Sequence, residues 1–364
     1  MLFVWPLACQ AGQAGTEAPA SKSVLRAMHR VARWQMSQPI KEKPTNWLMG
    51  TFYAGVSALA VTSKSIEYEQ WLIDTLDKVT DWEIGRNRYY ADDQCVAQAY
   101  LELYLRHRQP RMIADVKKEF DGILKRPPNH GLEFQTDVVR RDEWCWCDAL
   151  FMAPPVWMRL YAATGDKAYM EFAVERWWKT SDYLYDKEER LYFRDNTYFK
   201  ERERNGRKIF WSRGNGWVMA GLVRLLQYLP STHPSRPRFE QQFREMAGAI
   251  LASQQVDGLW RSSLLDPEHY TIPETSGTGF YCYAFAYGVN EGLLPRETYE
   301  PAAIKAWQGL ISCVNPQGKL TNVQPVGADP VKFPISNTEV YAVGGFLLAG
   351  SEMFKLAEKI EAGL

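Results

Sequence analysis

The 364-residue chain has no excess of either charge, few histidines and cysteines, and no long apolar run. Its 43 basic and 43 acidic residues give a formal net charge of zero. This balance argues against a general attraction to nucleic acids or anionic membranes, so we expect neither as a partner. Six cysteines are too few for a disulfide-stabilised scaffold in a chain of this length. Without about eighteen consecutive apolar residues, the sequence predicts no membrane span.

Metal sites and common catalytic motifs are also missing. Cys145 and Cys147 form a close pair, but no histidine or further cysteine stands near enough to complete a zinc pattern. The sequence contains no zinc-protease helix motif, phosphate-binding loop or nucleophile elbow. We therefore expect no metal and no cofactor, and the usual metalloprotease, nucleotide hydrolase and serine hydrolase classes are excluded.

The first twenty residues have a composition of their own. A short apolar run ends at Cys9 and continues into a stretch rich in Ala, Gly, Thr and Pro. This pattern is typical of an export-signal remnant or a flexible tether. We expect a periplasmic protein, or one anchored to the cell envelope by a lipid at Cys9, with a cytoplasmic location as the second choice. The sequence gives no indication of the oligomeric state.

Aromatic residues are abundant, at 13% of the chain, and serve either a large core or the binding of a flat ligand such as a sugar.

Two kinds of helix alternate along the chain. Amphipathic segments with one polar face are predicted near residues 24–37, 71–79, 112–124, 166–180, 239–250 and 298–312. Segments that are apolar or small nearly all round follow each of them, at 47–60, 93–105, 148–161, 214–228, 277–289 and 337–353. The alternation predicts an all-α fold: a single (α/α)6 toroid over residues 21–364, with short β-hairpin pieces near Leu191, Trp260 and Leu320.

All inner helices of such a ring run the same way, so their N-termini converge on one end. That end gathers partial positive charge and unpaired N–H groups, which suits an anionic ligand.

Asp148 opens one buried segment beside several aromatic residues, where loss of water raises a carboxyl pKa as a general acid requires. Helix capping is the alternative role for Asp148. Asp92 and Asp93 open another inner segment, and we favour Asp92 as the one that faces the bowl.

Two carboxyls across a sugar-sized bowl suit glycoside hydrolysis, and they also suit simple hydrogen bonding to sugar hydroxyls. Arg213 is a candidate partner for a substrate carboxylate, with Trp217 as a stacking surface; the alternatives are a surface arginine and a core tryptophan. Arg194 either reaches the rim or forms a salt-bridged turn. The complete set of substrate-binding candidates at this end is Asn46, Trp47, Trp146, Arg194, Trp211, Arg213, Asn215, Trp217 and Thr275.

Three motifs together resemble those of glycoside hydrolase family 105, the unsaturated rhamnogalacturonyl hydrolases. They span Trp146–Pro155, Phe210–Trp217 and Glu274–Phe280. The resemblance implies a bacterial enzyme that removes the 4,5-unsaturated uronic acid from the non-reducing end of polysaccharide-lyase products, with rhamnogalacturonan oligosaccharides as the expected substrate. It implies that Asp148 acts as acid and base, and that the earlier family aspartate is Asp92 or Asp93. Many members carry a histidine where this chain reads Phe193-Arg194-Asp195, so the subsite beyond the uronate is expected to differ.

The implied reaction needs no metal and no nucleophile at the anomeric carbon. A 4,5-unsaturated uronate is an enol ether, so protonation at C4 and addition of water at C5 give a hemiketal that opens and releases the next sugar. Three alternatives remain open. They are an unsaturated glucuronyl hydrolase for ulvan or glycosaminoglycan fragments, a glycosidase with Cys145 or Cys147 as nucleophile, and a sugar-binding protein without turnover.

Overall fold

The computed structural model describes residues 17–137 and 141–364, which form fourteen α-helices and four two-residue strands. The helices are α1 (Ser21–Met36), α2 (Trp47–Ser63), α3 (Ile66–Thr80), α4 (Ala91–Gln94), α5 (Ala97–His107), α6 (Ala114–Lys125), α7 (Ala149–Met152), α8 (Pro154–Thr164), α9 (Lys167–Leu184), α10 (Ser212–Leu226), α11 (Arg236–Leu251), α12 (Thr275–Asn290), α13 (Arg296–Ser312) and α14 (Val340–Glu361). Residues 1–16, including Cys9, lie outside the described residues, so the predicted export segment and lipid anchor stay predictions.

The inner helices form a closed ring. Helices α2, α5, α8, α10, α12 and α14 contact one another in this order, and α14 packs against α2 to complete the circle. The amphipathic helices α1, α3, α6, α9, α11 and α13 alternate with them along the chain and pack around the ring. The predicted all-α (α/α)6 toroid and the alternation of its two layers are therefore confirmed.

Short antiparallel pairs occupy the loops, close to where hairpin pieces were predicted. Strand β1 (Tyr185–Asp186) pairs with β2 (Leu191–Tyr192), and β3 (Trp260–Arg261) pairs with β4 (Pro273–Glu274). A single bridge joins Val314 to Leu320. Strand β2 matters most for function because it leads directly into Arg194 and Asp195.

Two inner segments are interrupted rather than continuous, which differs from the sequence prediction. The segment that begins after Asp148 breaks between α7 and α8 because Pro154 and Pro155 have no backbone N–H to donate. The segment that contains Asp92 breaks between α4 and α5, where Gln98 donates to the carbonyl of Cys95 in the tighter spacing of a 3-10 turn. Asp92 and Asp148 therefore lie at short first turns that are separate from the helices behind them.

Helix α14 closes the ring at a very close approach to α2. A Cβ atom on Gly344 would lie 2.3 Å from the carbonyl oxygen of Thr51, so this contact requires glycine. Among the described residues, α14 is also the one helix long and apolar enough to cross a membrane. Its most apolar window is 83% buried inside the protein, as expected of a helix that belongs to the inner ring.

The C-terminal halves of the six inner helices meet at the opposite end of the ring, around a cavity of about 380 Å³. Glu102 lies there, with a carboxyl oxygen 2.8 Å from Arg159 Nη2 and 2.6 Å from Arg224 Nη2. Burial favours the neutral form of Glu102, but Arg224 and Arg159 outweigh this effect and lower its pKa to about 2. The two arginines also suit the negative ends of the inner helices.

Substitution of Glu102 by Gln should destabilise the protein strongly, because it leaves the buried Arg159 and Arg224 without a counter-charge. We expect the free energy of unfolding at pH 7 to fall by about 3 kcal/mol or more, measured by chemical denaturation. The control is Glu67→Gln, which removes an exposed pair with Arg33 and should cost less than about 1 kcal/mol. Equal losses in the two variants would contradict the structural role of Glu102.

Candidate active site

Asp148 precedes α7 at the N-terminal end of the inner ring. It occupies the N-cap position, yet its side chain makes no capping hydrogen bond. Its Oδ1 atom is buried and has no hydrogen-bond partner within the described residues. Burial raises the pKa of Asp148, whereas the positive charges of Arg194 and Arg213 oppose the rise. The capping alternative is therefore not what the structure shows, and the carboxyl is left free for chemistry.

Asp92 and Asp93 point to different surroundings. Burial raises the pKa of Asp92 to about 7; a hydrogen bond from the Tyr90 hydroxyl opposes this rise, and the negative charge of Asp148 adds to it. Asp93 instead accepts a hydrogen bond from the backbone N–H of Asn87 at 3.0 Å. Asp92 is therefore the carboxyl that shares the site with Asp148. The expectation that Asp93 is catalytic is corrected, since its carboxyl holds the preceding loop.

Arg194 lies next to Asp148 and is held from three directions. Its Nη1 donates to Asp195 Oδ2 at 2.6 Å, its guanidinium covers the Phe134 ring at 4.2 Å, and its carbonyl accepts from the N–H of Cys147 at 2.8 Å. Its Nε is 3.7 Å from Asp148 Oδ1, too far for a hydrogen bond. Both of these atoms are buried without a partner in the described part of the chain. The side chain predicted for the rim thus lies within the site, beside the free carboxyl.

Arg213 is a buried cation that hydrogen-bonds and packs against uncharged groups. It donates to the carbonyls of Gln324 and Pro325 at 3.0 Å, and its guanidinium packs on the rings of Trp211 and Tyr341. No salt bridge neutralises it within the described residues, and its Nε has no partner there. Because a buried charge without a counter-ion is costly, this position favours an anionic ligand. The proposed contact with a substrate carboxylate stays open.

Several other predicted ligands support the site from behind rather than line it. Asn215 exchanges hydrogen bonds with both backbone groups of Tyr192 and donates to the carbonyl of Trp211, so its amide is used within the fold. The Thr275 hydroxyl donates to the carbonyls of Thr321 and Asn322. Both side chains are fully buried. The predicted contacts of Asn215 and Thr275 with substrate are corrected: these residues fix the loops that carry other site residues.

The predicted stacking tryptophans are mostly packing residues. Trp217 is 1% exposed and packs on Trp47 and Phe280, and Trp211 is 2% exposed and donates to Gln324 Oε1. Trp146 is 2% exposed beneath the Tyr90 ring. All three rings are used in packing, as is the guanidinium of Arg213, and their predicted contacts with a sugar stay predictions.

Two of the predicted ligands keep some exposure. Trp47 is half-buried, with its ring against Trp217 and Tyr341. Asn46 is also half-buried, and its Oδ1 caps α2 by accepting a hydrogen bond from the N–H of Leu48. Both therefore stay candidates for contact with a ligand.

Sequence reasoning missed four residues around Asp92, Asp148 and Arg194: Tyr90, Phe134, Tyr198 and Asp329. Tyr90 hydrogen-bonds Asp92, Phe134 packs on Arg194, and Asp329 and Tyr198 feel the charge of Arg194. The position of Tyr90, two residues before Asp92, was a usable signal. Phe134 and Asp329 come from long loops without periodicity, which gave none.

The cysteine-nucleophile alternative is disfavoured by the state of the thiols. Cys145 and Cys147 are buried and free, and burial raises the pKa of Cys145 to about 12 and that of Cys147 well above its ordinary value. A nucleophilic cysteine needs the opposite shift, toward the thiolate. Within residues 17–137 and 141–364, no three His, Cys, Asp or Glu side chains are grouped in a way that could hold a metal ion.

The raised pKa of Asp92 can be tested by titration. In protein with ¹³C-labelled aspartate carboxyls, we expect the signal of Asp92 to titrate near pH 7. Asp148→Asn should lower this pKa, because it removes a nearby negative charge, while burial keeps the value above the ordinary 3.8. Asp329→Asn serves as the control carboxyl and should leave the titration of Asp92 in place. An unchanged midpoint in Asp148→Asn would show that the two carboxyls are not coupled.

Comparison with known proteins places the chain in a family. The sequence matches the profile of Glycosyl Hydrolase Family 88 over residues 20–357. An unsaturated 3S-rhamnoglycuronyl hydrolase from Formosa agariphila is 39% identical over 344 residues, which cover 91% of this chain and 90% of that protein.

Two solved structures are also similar at 30% identity. One is named as a polysaccharide lyase and superposes with a TM-score of 0.84 over 93% of this chain and 98% of its own. The other is a family 88 glycosyl hydrolase from Bacteroides vulgatus, with a TM-score of 0.83 over 93% and 99% of the two chains. Family 105, indicated by the three motifs, is related to family 88, so the predicted kinship is confirmed. The chain belongs to glycosyl hydrolase family 88 and is a glycoside hydrolase.

Proposed function

We propose that the protein removes a 4,5-unsaturated uronic acid from the non-reducing end of oligosaccharides produced by polysaccharide lyases. The observation that carries this proposal is the coupled, buried pair of Asp92 and Asp148 beside two guanidiniums. One carboxyl of such a pair keeps a proton near neutral pH while the other is ionised. Hydration of an enol ether needs these two states, a proton donor and a proton acceptor.

The reaction proceeds in four steps. Asp148, with Asp92 as its partner, donates a proton to C4 of the unsaturated ring, and positive charge develops at C5 and the ring oxygen. The Asp148 carboxylate left by this step takes a proton from a water molecule, whose oxygen bonds to C5. The resulting hemiketal opens by breaking the bond between C5 and the ring oxygen, which gives a ketone at C5 and a hemiacetal at C1. The hemiacetal then breaks its C1–O bond to the next sugar, which leaves as an alcohol while C1 becomes an aldehyde. Water is the only co-reactant.

The uronate itself is an anion, and the site favours one. Arg194 already faces the carboxyls of Asp195 and Asp148, whereas Arg213 has no acidic contact. The substrate carboxylate therefore gains more from Arg213, which forms no salt bridge among the described residues. Arg194 is left to orient Asp148 and to counter its charge.

The next sugar is proposed to be rhamnose attached to a glycuronate. This follows the name of the Formosa agariphila relative, an unsaturated 3S-rhamnoglycuronyl hydrolase, and it favours rhamnoglycuronan products over rhamnogalacturonan and glycosaminoglycan fragments. Many family 105 members carry a histidine where this chain has Arg194 and Asp195. This difference supports a subsite for the next sugar that differs from the subsite of those members. A screen of lyase digests from several polysaccharides tests the choice, and hydrolysis confined to glycosaminoglycan fragments would refute it.

The reaction is tested by following the ultraviolet absorbance of an unsaturated glycuronyl-rhamnose disaccharide. The parent protein should bleach this absorbance, because hydration removes the C4=C5 double bond. Asp148→Asn should lower kcat by at least about 100-fold, the usual scale of general acid–base catalysis. The control is Asp166→Asn, which makes the same change at an aspartate that caps α9; because asparagine caps helices as well as aspartate does, turnover should stay at the parent level.

The same assay separates two other functions. A lyase, as one of the similar structures is named, would increase absorbance when it acts on an intact polysaccharide. A sugar-binding protein without turnover would bind the disaccharide and leave the absorbance unchanged. Either result with the parent protein would overturn the proposed hydrolysis.

Arg194→Gln should alter the pH dependence of kcat/KM. The positive charge of Arg194 opposes the rise in the pKa of Asp148, so its removal raises that pKa further. Because Asp148 must be protonated to donate, the alkaline limb of the profile should then move up by about one pH unit or more, so that activity persists to higher pH. Arg194→Lys should restore part of the shift, since it keeps the charge.

Arg141→Gln is the matched control for this profile. The Arg141 guanidinium covers the same Phe134 ring, at 4.4 Å, but it is not among the charges that act on Asp148. Its loss should leave the alkaline limb in place. An identical shift in both variants would indicate a general disturbance of the Phe134 loop rather than the charge of Arg194.

A further inference from the structure

A second cavity of about 650 Å³ lies at the end of the ring where α2 and α14 begin. Its walls come from residues 34–42, from Met49 and Phe52 on α2, from Trp71 and Thr75 on α3, and from residues 338–340. Its volume is in the range of small-molecule sites, about 300–1,000 Å³. Asp92, Asp148 and Arg194 do not line it. The cavity is therefore separate from the catalytic carboxyls.

Its apolar walls include two tryptophans that keep accessible surface. Trp34 and Trp71 are both half-buried, in contrast to the enclosed Trp146 and Trp217. Trp71 is braced by an edge contact with Phe52. The backbone carbonyl of Trp34 accepts a hydrogen bond from Gln38 at 3.0 Å, which fixes the turn after α1. Fixed indole rings with an open side bind the apolar face of a sugar.

The polar groups of the cavity are placed to bind hydroxyls. Thr338 Oγ1 is buried and has no hydrogen-bond partner within the described residues, although buried hydroxyls are normally paired. Glu339 lines the cavity next to it, and burial is the main cause that raises its pKa. A ligand hydroxyl would satisfy Thr338 and hydrogen-bond the Glu339 carboxyl.

The charges of the cavity differ from those of the active site. Lys41, Glu42 and Glu339 are its ionisable lining residues, which gives one positive and two negative groups. A hydrogen bond with Asn337 and the charge of Arg213 favour ionisation of Glu339, and the charge of Glu42 disfavours it. The lining holds no arginine to bind a uronate or sulfate, whereas Arg213 and Arg194 favour an anion in the catalytic bowl. The cavity therefore suits a neutral partner.

We propose that this cavity is a noncatalytic binding site for a neutral sugar residue, which stacks on Trp34 and hydrogen-bonds Thr338 and Glu339. The catalytic bowl receives the anionic end of an oligosaccharide, and the cavity receives an uncharged sugar. The proposal needs only that the protein handles carbohydrate, and it does not depend on the roles of Asp92 and Asp148.

The proposal is tested with the full chain by saturation-transfer NMR, using the neutral methyl glycoside of rhamnose and the anionic methyl glycoside of galacturonic acid. Trp34→Ala should weaken binding of the neutral glycoside at least tenfold and leave binding of the anionic one unchanged. An excess of the anionic glycoside should not displace the neutral one. Equal binding of the neutral glycoside by parent and Trp34→Ala, or its displacement by the anionic glycoside, would overturn the proposal.

A second variant guards against a folding defect in Trp34→Ala. Thr338→Val removes the unpaired hydroxyl at nearly constant volume and should weaken the neutral glycoside several-fold. Thr62→Val is the matched control, since the Thr62 hydroxyl bonds within α2 at the far end of that helix. Hydrolysis of the unsaturated disaccharide should continue at the parent rate in Trp34→Ala. Asp148→Asn should lose hydrolysis and keep full binding of the neutral glycoside, which would separate the two sites. Unchanged binding of the neutral glycoside in Thr338→Val would count against the cavity.

Discussion

The burial of two like-charged carboxyls, Asp92 and Asp148, is the constraint on which the rest of this structure depends. Two such groups cannot both ionise cheaply in a place that water hardly reaches, so the pair keeps a proton near neutral pH. That property is useful only if both carboxyls stay close and buried. The closed ring of inner helices provides this, because it brings the starts of separate helices to one end and covers them with loops.

The residues around the pair keep it from becoming fully neutral. Arg194 and Arg213 each favour the ionised form of Asp148, and neither has a hydrogen bond to it. Arg194 is itself held by Asp195, while Asn215 ties the preceding strand β2 to α10. These buried polar side chains fix the position of the Arg194 guanidinium relative to the Asp148 carboxyl, to which it forms no hydrogen bond.

At the opposite end of the ring, the fold must stabilise buried positive charge instead of buried negative charge. There the helix ends carry partial negative charge, and the buried groups are two arginines with Glu102 between them. Every strong charge at that end has a partner within hydrogen-bond distance, whereas Asp148 Oδ1 and Arg194 Nε at the other end have none. Satisfied charges stabilise the fold, and the unsatisfied ones at the catalytic end are available to a ligand.

The fold could be predicted from the sequence because its signals are periodic. The polar stripe of α1 and the apolar surface of α2 follow directly from the order of residues, and the common direction of the inner helices follows from their alternation. The site was harder, because a buried polar residue looks the same in sequence whether it serves the fold or the substrate. Asn215 and Thr275 precede inner helices as Asp148 does, but backbone carbonyls take up their hydrogen bonds. Asp93 turns away from the site because its carboxyl accepts a hydrogen bond from the N–H of Asn87. The loop that carries Asn87 has no sequence pattern from which this contact could be predicted.

Although the chain has no net charge, two of its regions differ in the charge of the ligand that they favour. Arg213 at the catalytic bowl has no salt-bridge partner among the described residues, and Glu42 and Glu339 line the second cavity. An oligosaccharide that carries one anionic end and neutral sugars behind it presents the same division. Selectivity for such a ligand therefore needs no overall charge, since interactions over a few ångströms in a poorly hydrated site outweigh the screened field of the whole protein.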